Sequence, residues 1–309
     1  MKQFAIIADS SCGLQKQYRE RFGIDGIIYG TITYPDGKTV FGDMDYETVS
    51  PEEYFGTMTK KAIYKTACAN LDQMKAVMEP FAKEGKDIVF ICLSSALSGT
   101  YNFGVKAAEE IMEAYPQVKV YVIDSLRYCT ALGLLVQEVC ALRDQGATAK
   151  EAADWAEENK HCFHQAGIMD DLYFLARTGR IAKAKAFFGT MVGVKPMGEF
   201  TRMGLTEVIG KGKGTRKSLD AVVAYLQDRA VEPDKHIVFI CDSLRPKEAD
   251  YLQSKVEELV HPKEIIRLPL DMTSGANMGP GLAVCFFYGK PISENLEEEK
   301  AVMTAILNK

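Results

Sequence analysis

Residues Asp87-Ile88-Val89-Phe90-Ile91-Cys92 run directly into Leu93-Ser94-Ser95-Ala96-Leu97-Ser98-Gly99-Thr100-Tyr101, and these lead to Phe103-Gly104-Val105-Lys106-Ala107-Ala108-Glu109-Glu110-Ile111-Met112. After Asp87 the first segment is unbrokenly apolar, as a strand buried on both faces requires. The last segment spaces its apolar residues as an amphipathic helix does. Between them lies a loop of serines with a glycine and a threonine. In α/β proteins such a loop is where small anions sit. Free N–H groups of the first helical turn and the positive end of the helix dipole point at them there. The stretch therefore predicts an α/β fold, with a loop suited to a carboxylate or phosphate and needing no metal.

Working outward, strand and helix patterns alternate. Phe4 to Ala8 reads as a strand, Leu14 to Phe22 as a helix and Ile27 to Thr33 as a second strand. Tyr34-Pro35-Asp36-Gly37-Lys38 is a turn, because proline fixes one φ and glycine permits a positive one. It returns the chain into Thr39 to Gly42 as a small ribbon. Ser50-Pro51-Glu52-Glu53 starts a helix with an N-cap serine, proline in the first turn and early acids. A helix from Leu71 to Lys83 precedes the buried strand. Lys119 to Ile123 is a further strand ending in Asp124-Ser125, and Ala131 to Arg143 is a helix with an apolar stripe. This rhythm predicts a mostly parallel, layered sheet.

The character changes near residues 145–165. Val192 to Phe200 and Leu205 to Gly210 read as a hairpin, and Ser218 to Leu226, Ile237 to Cys241, Pro246 to Leu259 and Ile265 to Leu268 restore the alternation. Two α/β domains are expected, 1–160 with the serine-rich loop and 161–309 with a mixed sheet.

Composition narrows the function classes. The 309 residues are 47% hydrophobic and 26% charged, with net charge -5. A nucleic-acid binder would need a basic face, so none is expected. The start is too short in apolar residues for a signal peptide, and no window approaches the ~18 apolar residues of a spanning helix. The protein is expected in the cytoplasm, without an integral membrane segment. Its eight cysteines include no CxxC pair, and several sit inside apolar patterns, so all are expected reduced and structural. His161 and His164 stand at i, i+3 with no further ligand spaced to join them, so no metal is expected.

Ser94, Ser95 and Ser98 lack the G-x-S-x-G frame of a nucleophile. Ser98 reads either as a ligand donor or as a cap of the helix that follows. Gly210-Lys211-Gly212-Lys213-Gly214-Thr215-Arg216-Lys217 is not a phosphate-binding Walker sequence, and reads as a basic exit from a hairpin strand. Arg180, in Arg177-Thr178-Gly179-Arg180-Ile181, either offers a bidentate fork to a carboxylate or phosphate or pairs with Asp170 or Asp171. Ser274-Gly275-Ala276-Asn277-Met278-Gly279-Pro280-Gly281 reads as a glycine-rich turn before an apolar strand.

In this order the pieces resemble the DegV family of bacterial fatty-acid-binding proteins. The resemblance is carried by Ile7-Ala8-Asp9-Ser10-Ser11, the Ile91 to Tyr101 stretch, Val122-Ile123-Asp124-Ser125, Asp170-Asp171-Leu172, Thr178-Gly179-Arg180-Ile181, Val194-Lys195-Pro196 and Gly279-Pro280-Gly281. It implies two α/β domains clasping a long-chain fatty acid. It places the carboxylate on Thr66 and Ser98, with no cofactor and no catalysis by the protein itself. Some members present the fatty acid to a partner kinase, and the family arginine implicated there matches Arg180. Two departures stand out. Ala67-Cys68-Ala69 replaces the usual Ser-Gln-Pro after Thr66. Asn277 replaces a usual histidine, keeping hydrogen-bonding capacity without a positive charge. A stand-alone hydrolase or small-molecule kinase, and a lipid sensor that no longer supports phosphoryl transfer, remain the alternatives.

Overall fold

The computed structural model describes residues 4–182 and 193–309; Val192, the first residue of the expected hairpin, lies outside them. Four strands form a wholly parallel sheet: β1 (Phe4–Asp9), β2 (Gly26–Ile28), β6 (Asp87–Cys92) and β7 (Val120–Asp124), in the order β2-β1-β6-β7. Side chains alternate across a strand, so the two faces of its central strands bury different residues. Ala5 and Ile7 of β1, with Ile88 and Phe90 of β6, meet helices α3 (Leu71–Lys83) and α4 (Thr100–Ala114). Phe4, Ile6, Val89 and Ile91 face the opposite way, toward α5 (Thr130–Asp144) and α6 (Ala149–Asn159).

A second sheet holds β8 (Phe163–Met169), β9 (Val194–Phe200), β10 (Thr206–Lys213), β11 (Ile237–Ser243), β12 (Glu264–Pro269) and β13 (Leu282–Tyr288). Its order is β10-β9-β8-β13-β11-β12, and only β11 and β12 pair in parallel. Helices α8 (Thr215–Arg229), α9 (Pro246–Leu259) and α11 (Glu297–Leu307) cover one of its faces. Its other face meets α5, which also touches β1 and β6. Every residue from Thr130 to Val136 is buried, because both sides of the helix are core. The expected apolar stripe is thus an apolar girdle, and one continuous core joins the sheets through α5.

A third, three-stranded sheet corrects the expected strand 27–33. That segment splits at Tyr29-Gly30: Gly26–Ile28 stays in the parallel sheet, while β3 (Thr31–Thr33) leaves it to pair with β4 (Thr39–Phe41) and β5 (Lys65–Ala67). Gly30 allows the exit, since a Cβ there would stand 2.8 Å from the Ala67 carbonyl oxygen. The ribbon joins the C-terminal half through α2 (Pro51–Gly56) and its flanks. Tyr54 donates to the Met272 carbonyl at 2.8 Å, and Tyr46 to the Leu270 carbonyl.

Two other readings change. Gly210 to Lys213 lie inside β10, paired with Val194 to Met197, and are not the strand's exit. Their glycines serve packing: a Cβ on Gly210 would lie 2.4 Å from Met303 of α11, and one on Gly212 2.1 Å from the Ser218 hydroxyl of α8. Met272–Met278 is a short helix, α10, capped by Asp271, where a turn was expected. Its Gly275 lies against the Phe55 ring, which a side chain would strike at 2.7 Å. Among the described residues the remaining α-helices are α1 (Lys16–Phe22) and α7 (Tyr173–Thr178).

Candidate functional site

A cavity of about 340 Å³ opens at the carboxyl ends of β1 and β6, where parallel sheets generally leave room for ligands. Asp9 ends β1 and Ser10 and Ser11 follow it, while Leu93, Leu97, Ser98 and Thr100 follow β6. Thr66 to Ala69 come from β5 and its exit, Leu175 and Arg180 from α7 and just beyond it, and Thr273, Ser274, Asn277 and Met278 from α10. Ile28 and Tyr128 also line the cavity. The site therefore draws on both halves of the chain.

The serine-rich loop is held mainly by its own backbone. Leu93 N–H donates to Asp9 Oδ2 at 2.6 Å and Ser95 N–H to Asp124 Oδ1 at 3.0 Å. Ser94 N–H donates to the Arg127 carbonyl, Ala96 N–H to Ser94 Oγ, and Leu97 N–H to the Ser94 carbonyl. These five N–H groups of the loop are engaged within the protein. The hydroxyl-bearing residues it places on the cavity wall are Ser98 and Thr100.

Ser98 lines the cavity; Ser94 and Ser95 do not. Ser94 is fully buried and Ser95 is exposed. Ser98 Oγ accepts from Thr100 N–H at 3.3 Å and lies 2.9 Å from Thr100 Oγ1. The N-cap itself is Gly99, so Ser98 supports the helix start from one residue further out. Thr66 faces the cavity because β5 alternates: with Ile32 and Val40 it is on the inner face of the ribbon, while Thr31, Phe41 and Ala67 share the outer. Asn277 Nδ2 donates to Thr66 Oγ1 at 3.3 Å and to the Thr273 carbonyl at 3.1 Å.

Arg180 forms neither of the expected aspartate pairs. Its guanidinium donates to the Thr178 carbonyl and, at 3.2 Å, to the Leu97 carbonyl, tying α7 to the serine loop. Burial lowers its pKa. Asp170 is taken by Lys195 and Arg245, and Asp171 by Lys60 at 2.6 Å. Asp9 is buried, with its pKa raised by desolvation against the hydrogen bonds from Ser11 and Leu93. Behind the wall, burial pushes the Asp271 carboxyl up to about 7. Its Oδ1 accepts from Ser274 N–H at 2.8 Å, and its buried Oδ2 has no hydrogen-bond partner among the described residues.

His161 and His164 have separate surroundings. His164 is buried between Glu199, 2.8 Å from Nδ1, and the Lys290 carbonyl, 2.6 Å from Nε2. Desolvation pushes His161 down to about 4. Among the described residues no cysteine pair forms a disulfide, and of the eight cysteines only Cys68, on the cavity wall, is not buried.

Tyr128, Leu175 and Thr273 were not picked out from the sequence, and no local pattern marks them. Asp9 and Ser10 had a signal in their place at the end of the first parallel strand, beside the strand that carries the serine loop.

The architecture is that of an α/β protein with a cavity of hydroxyl-bearing and apolar side chains at the carboxyl end of its parallel sheet. The chain belongs to the DegV family: residues 3–289 match the family described as "Uncharacterised protein, DegV family COG1307". A DegV domain-containing protein of Clostridium perfringens is 30% identical over 289 residues, covering 94% of this chain and 98% of the relative. Among solved structures, a DegV family protein from Thermus thermophilus, described for fatty acid binding, superposes with TM-score 0.83 at 21% identity, covering 93% of this chain and all of that one. The Streptococcus pneumoniae Fatty Acid Kinase B3 protein, solved loaded with linoleic acid, gives 0.77 at 20% identity over 93% of this chain and all of that one.

Proposed function

We propose that this protein binds a long-chain fatty acid, with the carboxylate on Thr66 and Ser98 and the alkyl chain among apolar side chains. The observation that carries the reading is the cavity's mixed lining of hydrogen-bonding and apolar side chains. Thr66, Ser98, Asn277 and Arg180 gather on its wall, and Ile28, Leu93, Leu97, Leu175 and Met278 supply apolar surface. Membership of a family whose solved members include fatty-acid complexes supports it. Burying about twelve methylenes at ~0.8 kcal/mol each supplies ample affinity before entropic costs, so the hydroxyls set orientation more than strength.

The protein's role is that of a carrier without catalysis of its own, and its partner is a fatty acid kinase that acts on the presented carboxylate. Two domains divided near residue 160 clasp the ligand, and the site of action is the cytoplasm. Among the described residues no helix is long and apolar enough to cross a membrane.

Native mass spectrometry of gently purified protein tests the reading. A co-purifying or added long-chain fatty acid is expected at one per chain, and the double variant Ser98→Ala, Thr66→Ala is expected to bind it at least about tenfold more weakly. A protein that takes up no fatty acid, or a variant that binds it unchanged, overturns the assignment. Acyl phosphate formed when fatty acid, ATP and a cognate kinase are added separates the carrier from a lipid sensor. Turnover of acyl esters or ATP by the protein alone would favour an enzyme.

A further inference from the structure

Both protons on the Asn277 amide nitrogen are engaged. One goes to the Thr273 carbonyl, one turn back on α10, and the other crosses to Thr66 Oγ1 on β5. A carbonyl oxygen can only accept, so the atom facing Thr273 must be Nδ2, and the helix itself fixes which way the amide points. Toward Asn277, then, Thr66 is an acceptor. Its own proton must go elsewhere, and among the described residues no acceptor takes it. The side chain stands on the cavity wall, while the backbone of Thr66 is held in register with Ile32. Ser98 differs, since either partner can donate in its contact with the Thr100 hydroxyl.

We propose that Asn277 is a positioning residue: it fixes the donor sense of Thr66, so that the threonine proton is presented to a head group that accepts, such as an ionised carboxylate. This rests on the fatty-acid reading above and adds to it a reason for the head-group preference. An accepting side chain at 277 would capture the Thr66 proton and leave only oxygen lone pairs facing the cavity.

Affinity for hexadecanoate, measured by calorimetry on delipidated full-length protein, tests this in a double-mutant cycle of Asn277→Leu and Thr66→Val. Asn277→Leu is expected to weaken binding about tenfold in the unaltered background, the scale of one hydrogen bond, and less than about twofold when Thr66→Val is present. Equal losses in both backgrounds mean that Asn277 meets the ligand directly, and overturn the proposal. Asn277→Ala, run through the same cycle, carries the test if the leucine variant does not fold. Hexadecanol, uncharged and able to donate, is expected to bind Asn277→Asp at least as tightly as it binds the unaltered protein. Loss of hexadecanol and hexadecanoate by the same factor in that variant also overturns the proposal. If the unaltered protein binds no hexadecanoate, the fatty-acid reading falls and takes this one with it. Binding without coupling overturns this one alone.

Discussion

Gly204 adopts φ +78° in the turn between β9 and β10, and a Cβ there would stand 2.0 Å from the Ser94 hydroxyl oxygen. The turn of the second sheet is thereby pressed onto the serine loop of the first. Gly204→Ala combines a left-handed backbone with a steric conflict, and is expected to cost about 1–3 kcal/mol in urea unfolding. A change below about 0.5 kcal/mol would show the contact to be slack. At this scale the sequence was only half legible. Three serines in one loop are chemically alike, and what separates them is burial: Ser94 is enclosed, Ser95 is outside and Ser98 reaches the cavity. Likewise Arg180 finds carbonyl partners that no spacing rule could have named, because Leu97 is 83 residues away in the chain.

At the scale of elements, α10 rests on a buried acid. Asp271 caps it by accepting from Ser274 N–H, yet burial raises its carboxyl from 3.8 to about 7. The folded protein thus holds this proton more tightly than the unfolded chain does. The associated stability is complete below about pH 4 and is lost as pH rises through about 7. Asp271→Asn keeps the capping oxygen and removes the ionisation. Thermal unfolding at pH 5 and pH 8 is expected to show a smaller pH-driven loss in the variant, by roughly 2 kcal/mol. Identical pH slopes in the two proteins would falsify this. The strand–loop–helix at 87–114 was legible because its period and composition are local. Helix α10 was not: Gly275, which looks like part of a turn in the sequence, is needed for close approach to Phe55, and Gly279 just beyond the helix for close approach to Phe174. The strand break at Gly30 was hidden for a similar reason, since its cause is a carbonyl on β5.

For the whole molecule, α5 is the shared interior of two sheets, and Leu135 in it is fully buried. Leu135→Ala is expected to cost about 2–5 kcal/mol and to leave unfolding a single transition by fluorescence and circular dichroism alike. Two separated transitions would show that the halves fold independently, whatever their common core. The alternation of strands and helices made the α/β class readable. Of the third sheet, the return of the chain into β4 was readable from the turn at 34–38, whereas β5 was not, because it is three residues long and lies far from the first two strands.

That small sheet constrains the chain's length as well as its composition. Surface loops between short strands are where insertions and deletions are ordinarily tolerated. Here the strand parity of β5 decides which residue meets the cavity. Slipping the register by a single residue would replace Thr66 on the inner face by Lys65 or Ala67, a bulky cation or a methyl group. The stretch from Thr57 to Tyr64 looks from outside like free connecting chain. It is a spacer of set length, and variation in this protein's relatives should favour substitution there over any change in residue count.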